Sequence, residues 1–267
     1  MAAIRNTARC LALLAVGLIG AGCATMPKTS GDFADVTKEM KSVAVMPASV
    51  SLTQQGAFTG QQMPELTHDV EREIERSMGS LIQESRYRLG ALDFSDSALA
   101  ADPEMRTAIF DQQQAMADVF NQLAQSKSKK IEIPYKASLD LIADRAGSDH
   151  LFFVAGSGTF QSTGAQVKEA VIAGVAALFG AAPTMGPVGT TTLAGVLVDA
   201  NRGKVVWYNR VLRETDPRKP GDLMVASQQL TKPLLGPSKL KADHSRDQEI
   251  IKKYSKLGKS QPPTPSH

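Results

Sequence analysis

Residues 192–209 read TLAGVLVDANRGKVVWYN, and this stretch decides the fold. Two segments rich in β-branched and aromatic residues, Thr192 to Asp199 and Lys204 to Asn209, flank the turn at Asn201-Arg202-Gly203. Two such runs separated by a short glycine-containing turn are typical of antiparallel strands. The stretch therefore predicts a β-hairpin.

Upstream of the hairpin, two apolar runs predict strands that are buried on both faces. His150 to Gly156 reads HLFFVAG, and its continuation to Gln161 is polar enough to reach an edge or opening of the sheet. Val43 to Met46 is a shorter run that Pro47 ends. Continuous apolar runs of this length are characteristic of strands covered by helices on both sides.

Helical periodicity alternates with these strands. The segment that begins at Pro64 carries apolar residues every three or four positions, and a second helix begins at Asp102-Pro103 with an aspartate cap. A third helix spans roughly Ser138 to Ala146 and stops at Gly147, which suits the left-handed position after a helix. A last helix is predicted from about Asp222 to Lys232.

Strands and helices in this order predict an α/β sandwich: a mixed β-sheet with helices packed on it and a terminal β-hairpin. The folded domain is expected over residues 41–236. Residues 237–267 are rich in Lys, Ser and Pro and predict a polar, mostly disordered tail. Residues 23–40 lack apolar periodicity and predict a tether.

The first 22 residues are typical of a secretory signal peptide. Arg5 and Arg9 precede the apolar run Leu11 to Ile19, which is shorter than the ~20 residues needed to cross ~30 Å of hydrocarbon. The segment Gly20-Ala21-Gly22-Cys23 resembles the lipobox of bacterial lipoproteins, although Gly20 stands where those proteins usually carry leucine. The resemblance implies that Cys23 is lipidated and that the signal peptide is removed.

Processing changes both the thiol count and the charge. Cys10 leaves with the signal and Cys23 becomes a thioether, so no thiol remains for a disulfide, a metal or catalysis. Removing Arg5 and Arg9 from the 30 basic residues leaves 28 against 27 acidic ones. A nearly neutral chain gives no electrostatic reason to expect a nucleic-acid partner.

An apolar insert rich in Gly and Ala occupies residues 165–190. Three interpretations stay open: a small-residue helix packed on the sheet, which the pattern favours; a membrane- or partner-inserting loop; and a strand pair of a pore. The last requires alternating apolar and polar residues, which Ala170 to Ala182 lacks. The candidate interaction residues of the insert are Val171, Ile172, Val175, Leu178 and Phe179.

No pattern of catalytic or metal-binding residues stands out. His68 and His150 are expected to be polar surface residues, and Gly156-Ser157-Gly158 lacks the spacing of a nucleophile turn. Glu71 and Glu75 alternate with arginines in the manner of solvated ion pairs, and Lys127 to Lys130 predict a solvated loop. We therefore expect no enzyme activity and no cofactor.

Four features together carry a family resemblance: the lipobox, the strand Val43 to Met46 before Pro47, the passage Gly147 to Phe152, and the hairpin Leu197 to Asn209. Over roughly residues 40–235 the chain is similar to outer-membrane lipoproteins whose periplasmic domain resembles the amino-terminal domain of TolB and the curli-secretion lipoprotein CsgG. That resemblance implies a protein of the outer membrane, facing the periplasm.

The resemblance also implies a function by binding. We expect a non-enzymatic interaction module, held by the acyl chains on Cys23, that docks on an envelope or cell-wall assembly complex through its sheet edge or its insert. The alternative is an oligomeric component of an outer-membrane export apparatus. Homo-oligomerisation and the identity of the protein partner are left open.

Overall fold

A computed structural model describes residues 27–55, 60–135, 139–161 and 189–257. Within these ranges the strands are β1 (Lys28–Thr29), β2 (Ser42–Val45), β3 (Ser49–Gln55), β4 (Gly60–Gln62), β5 (Arg88–Leu89), β6 (His150–Gln161), β7 (Gly189–Asp199) and β8 (Lys204–Arg213). The helices are α1 (Phe33–Glu39), α2 (Pro64–Glu84), α3 (Asp96–Ala101), α4 (Pro103–Gln125), α5 (Asp140–Ala146), α6 (Pro220–Leu235) and α7 (Asp247–Leu257).

The strands form one mixed sheet in the order β1-β8-β7-β6-β2-β5. The long strand β6 is the organising element. It pairs with β7 in antiparallel fashion along almost its whole length, while β2 and then β3 run parallel to its other side. β4 adds an antiparallel partner to β3, and β5 runs parallel to β2 at the far edge.

Helices cover both faces of the sheet. On one face α1, α2, α6 and α7 bury a core that contains Phe152 and Trp207, whose ring centroids lie 5.8 Å apart. On the other face α4 and α5 bury a second core around Leu151 and Phe153. Consecutive residues of β6 therefore point into opposite cores, which is why its sequence is apolar without alternation.

The α/β sandwich and its hairpin are confirmed. β7 and β8 pair around Gly203, whose φ of 59° is the left-handed conformation that glycine adopts without steric cost. Gly147 ends α5 in the same conformation, with φ of 57°. At the start of α4, Asp102 accepts a hydrogen bond from the Met105 amide at 3.0 Å, as its cap position predicts.

The structure differs from the sequence-based expectation at three places. The predicted tether is shorter, because β1 and α1 form within residues 23–40 and α1 buries Val36 completely. The polar loop before α2 contains β3 and β4. In the predicted tail, α7 packs on the domain and buries Tyr254. Each segment is too polar or too short to show the apolar pattern of a buried element.

Among the described residues, no helix combines the length and the apolar character required to cross a bilayer.

Candidate functional site

A cleft of about 1040 Å³ opens at the carboxyl ends of β2 and β5. Its floor includes Val45 and Pro47, which end β2, and Leu89 and Gly90, which end β5. After β2 the chain continues into β3 along the same side of β6, whereas after β5 it leads to α3 and α4 and the second core. Crevices at the carboxyl ends of parallel strands are common ligand-binding positions in open α/β sheets.

One wall of the cleft is a polar stripe of α2. It consists of His68, Glu71, Arg72, Glu75 and Gly79, which follow each other at intervals of one to four residues. Residues three, four, seven and eleven positions apart lie on one face of a helix. The opposite stripe of α2, which includes Leu66, Val70 and Ile74, is buried in the core.

Glu71 and Glu75 bind the backbone that enters β3. Glu75 Oε1 accepts a hydrogen bond from the Ala48 amide at 2.8 Å, and Glu71 Oε1 accepts one from the Val50 amide at 2.9 Å. Burial raises the pKa of both carboxyls, and the amide hydrogen bonds oppose that shift. Two partly buried acids thus lie inside the cleft.

The expectation of solvated ion pairs at these two glutamates is wrong. The neighbouring arginines pair with other acids of the same helix, Arg72 with Asp69 and Arg76 with Glu73. Sequence spacing left the partner of Arg72 open, because Asp69 and Glu75 both lie three residues from it, whereas Glu73 is the one acid at helical spacing from Arg76. The position of β3 decides the outcome, since its unpaired amides need acceptors.

The opposite wall of the cleft comes from α4 and from the loop that precedes α3. Phe110 on α4 is 57% exposed and is one of the two large apolar side chains of the described residues that remain open to solvent. Leu92 and Phe94 from the loop line the cleft as well. Asp93 accepts a hydrogen bond from the Ser95 amide at 2.8 Å, which lowers its pKa.

The predicted site residues lie outside the described residues: these are Cys23 and the five candidate residues of the insert, Val171, Ile172, Val175, Leu178 and Phe179. The last two residues of the predicted insert, Gly189 and Thr190, belong to β7 and pair with Phe160 and Thr159 of β6. The interaction role of the insert and the lipidation of Cys23 stay predictions.

The histidines differ in environment. His68 is exposed on the rim of the cleft, where its Nε2 lies 3.2 Å from Arg72 Nη1. The expectation that His150 lies at the surface is wrong: it is 8% exposed, and its Nε2 lies 4.0 Å from Asp199 Oδ2. Burial lowers the pKa of His150, while Asp199 acts to raise it. Across the described ranges, no group of three His, Cys, Asp or Glu side chains is placed to hold a metal ion.

Sequence reasoning missed the cleft because its residues come from four separate segments of the chain. The available signal was the polar stripe of α2, in which His68, Glu71 and Glu75 recur at helical spacing. On its own, such a stripe is equally typical of a solvated helix face. Only the packing of α4 and the loop opposite it turns the stripe into one wall of a cavity.

No family model matches the chain, and no curated protein matches it. Solved structures with some similarity include the PelC dodecamer from Paraburkholderia phytofirmans, which is 11% identical with a TM-score of 0.31, over 73% of this chain and 89% of that one. A lipoprotein of Neisseria meningitidis, GNA1162, is 10% identical with a TM-score of 0.29, over 83% and 99%. The LpoB C-terminal domain from Salmonella enterica is 13% identical with a TM-score of 0.24, over 68% and 96%.

With identities and TM-scores this low, these similarities give no information about function. The resemblance to the TolB amino-terminal domain and to CsgG stays a prediction.

Proposed function

We propose that this chain is a non-enzymatic interaction module of the bacterial envelope, held on the periplasmic side of the outer membrane by acyl chains on Cys23. It binds a segment of a protein partner in the cleft at the carboxyl ends of β2 and β5. The observation that carries the proposal is the cleft itself: a large, open crevice at the carboxyl ends of β2 and β5 that combines an exposed aromatic ring with partly buried acids.

The size and lining of the cleft fit a polypeptide segment. Small-molecule pockets enclose most of their ligand within about 300–1,000 Å³. This cleft slightly exceeds that range and is open to solvent, with Phe110 on its rim. An apolar side chain of the partner would cover Phe110, as aromatic anchors are covered in protein interfaces.

The charge of the cleft specifies the second feature of the partner. Glu71 and Glu75 each have one hydrogen bond from a backbone amide, and burial disfavours their ionised forms. A lysine or arginine of the partner would favour ionisation by compensating both charges at short range. The partner segment therefore carries an apolar residue for Phe110 and a basic residue for the glutamates.

A binding role also accounts for the two glutamates without chemistry. Both side chains hold the strand connection between β2 and β3 through the amides of Ala48 and Val50. A general acid or base must instead exchange its proton with a substrate at hydrogen-bonding distance. Turnover of a cell-wall or ester substrate by the purified protein would contradict this part of the proposal.

The alternative, an oligomeric export component, has one observation in its favour. Beyond Tyr208, no described strand pairs with the outer edge of β8, and Leu212 on this segment is 55% exposed. Free edges can pair with a second copy, but Arg210 and Arg213 also lie here, and charged residues oppose such pairing. A ring in the detergent-extracted protein or conductance across a planar bilayer would support the alternative.

Site-specific photo-crosslinking in intact cells tests the proposal. A photoreactive amino acid replaces Phe110 in the full-length chain, and the same residue at Leu212 is the matched control, because both native side chains are about equally exposed. We expect the Phe110 position to form an adduct with one envelope protein and the Leu212 position not to form it.

A second variant ties the adduct to the cleft. Glu71→Gln with Glu75→Gln keeps an oxygen acceptor for each backbone amide but removes both charges, and we expect it to reduce the adduct several-fold. The proposal fails if both photoreactive positions give the same adduct, or if removing the charges leaves its yield unchanged. Loss of membrane association in Cys23→Ala tests the lipid anchor separately.

A further inference from the structure

Three exposed lysines lie beside the point where the chain enters the fold. The turn after α4 contains Lys127, Lys129 and Lys130, and all three side chains are exposed. The Thr29 amide donates to the Lys129 carbonyl at 3.1 Å, and the Ile131 amide donates to the Thr29 carbonyl at 2.9 Å. These backbone hydrogen bonds hold the lysine turn directly against β1.

Lys28 fixes the same junction through its side chain. Its Nζ donates to the carbonyl of Leu123 at 2.6 Å and to that of Ser126, at the carboxyl end of α4. A cation is favoured there, because the last carbonyls of a helix lack intrahelical partners. Within the turn, Ser126 and Ser128 accept hydrogen bonds from the backbone amides two residues further on. The lysine turn is therefore a built structure rather than a loose loop.

The positive charge of the turn is not neutralised within the described part of the chain. None of Lys127, Lys129 and Lys130 has a carboxylate within 4.0 Å there, whereas Lys204 nearby pairs with Asp32. One exposed acid, Glu132, follows on the same segment. The turn thus presents three lysines against one glutamate.

The proposed lipid anchor places this charge at the membrane. Lys28 is the fifth residue after Cys23, with four residues between them. At about 3.3–3.6 Å for each extended residue, this link spans at most ~18 Å. The junction of β1 with the lysine turn therefore stays within that distance of the acyl chains, and it reaches the headgroups when the link is less extended.

We propose that Lys127, Lys129 and Lys130 form a membrane-facing patch that binds the phosphates of anionic phospholipids; this rests on the proposed lipidation of Cys23. One basic patch joined to acyl chains gives the paired signals that stabilise membrane attachment. Each lysine near an anionic surface strengthens attachment about fivefold.

The patch also orients the cleft. β1 and β5 are the opposite ends of the strand order β1-β8-β7-β6-β2-β5, and the cleft lies at the carboxyl ends of β2 and β5. At ~4.8 Å between neighbouring strands, the two features are ~20 Å or more apart across the sheet. With the lysines on the membrane, the cleft faces the periplasm, where a protein partner can enter it.

Lysine footprinting of the full-length, lipidated protein tests the patch. The protein is reconstituted into vesicles of phosphatidylcholine alone and of phosphatidylcholine with phosphatidylglycerol, and exposed amines are acetylated and located by mass spectrometry. We expect phosphatidylglycerol to slow acetylation of Lys127, Lys129 and Lys130 about fivefold. Lys239 and Lys241, exposed near the end of α2, are internal controls whose rates stay unchanged.

Further controls distinguish lipid phosphates from free phosphate, and failure of the patch from failure of the lipid anchor. Equal acetylation of the three lysines in both vesicles overturns the patch, and so does the same protection when inorganic phosphate is added to phosphatidylcholine vesicles. If the protein carries no acyl chains and inserts into neither kind of vesicle, the proposed lipidation of Cys23 is wrong, and this result differs from a failure of the patch alone. In the mature chain with Cys23→Ser, replacing the three lysines by glutamine should abolish the preference for phosphatidylglycerol vesicles in sedimentation.

Discussion

Asp69 connects α2 to α7 through its side-chain contacts, and the variant Asp69→Asn measures how much these contacts stabilise the fold. Lys253 Nζ lies 2.9 Å from Asp69 Oδ2, and the Tyr254 hydroxyl donates to the same oxygen. Arg72 donates to Oδ1 from within α2. Burial acts to raise the pKa of this carboxyl, but these hydrogen bonds outweigh it and lower the pKa to about 2. Asparagine keeps the shape of the side chain and removes its charge.

The pKa gives the size of the effect. The ordinary value is 3.8, and each pH unit between the folded and unfolded pKa is worth ~1.4 kcal/mol. The difference corresponds to about 2 kcal/mol of stability at neutral pH. Because the Asp69 side chain is 29% exposed, solvent screening lowers the expected loss to roughly 1–2 kcal/mol.

Urea unfolding of the mature chain with Cys23→Ser, followed by circular dichroism, provides the assay. The folded pKa of Asp69 is depressed, so its contribution is fully present above pH ~4 and is lost as the pH falls through about 2. The difference in free energy of unfolding between the parent chain and Asp69→Asn should therefore be constant from pH 7 to 5 and should decrease below pH 4.

A matched control separates this contact from an ordinary surface ion pair. Asp35 pairs with Lys38 on α1 at 3.2 Å, and both side chains are more than two-thirds exposed, so Asp35→Asn should change the stability by less than ~0.5 kcal/mol. Equal effects of the two substitutions, or a gap that does not narrow in acid, would refute the account of how α7 is held.

Three further predictions concern the cleft and the core. Burial raises the pKa of Glu75, so its ionised form is disfavoured and the stability of the fold decreases as the pH rises through the folded pKa. In urea titrations at pH 7, Glu75→Gln should therefore be at least as stable as the parent chain. Glu75→Ala should be ~1–3 kcal/mol less stable, because it loses the hydrogen bond to the Ala48 amide. Gly195→Ala places a Cβ 2.8 Å from the Phe152 ring and should cost ~1–3 kcal/mol, while Gly31→Ala, with no atom within 4 Å, should leave the urea midpoint almost unchanged. Burial lowers the pKa of His150, so as the pH drops below 6.5 the unfolded chain is protonated before the folded one and the free energy of unfolding should decrease. If the free energy of unfolding of a His150→Gln variant depends on pH between 7 and 5 as steeply as that of the parent chain, this prediction is wrong.

The lysine patch and the cleft can bind their ligands at the same time. The lysine turn beside β1 and the cleft beside β5 lie at opposite ends of the strand order, so binding of one to lipid leaves the other accessible. The short link from Cys23 to Lys28 restricts rotation of the domain relative to the membrane, whereas a long tether would let the domain rotate freely.

The sequence by itself determined the elements whose pattern is local. The hairpin from Thr192 to Asn209, the apolar spacing of α2 and the stop of α5 at Gly147 each depend on neighbouring residues, and the structure confirms them. The double-sided burial of β6 was equally predictable, since its apolar run leaves no polar face.

Tertiary structure alone decided what depends on distant partners. β3 is polar and pairs with β6 more than a hundred residues away, so no local pattern predicts it. Glu71 and Glu75 bind the amides at the start of that strand instead of the adjacent arginines, and Phe110 becomes one wall of a cleft through the packing of α4 opposite α2. The lysine turn likewise reads as a solvated loop until β1 forms against it. Hydrogen-bonding needs and burial are set by whatever the fold brings together, and that information is not contained in the spacing along the chain.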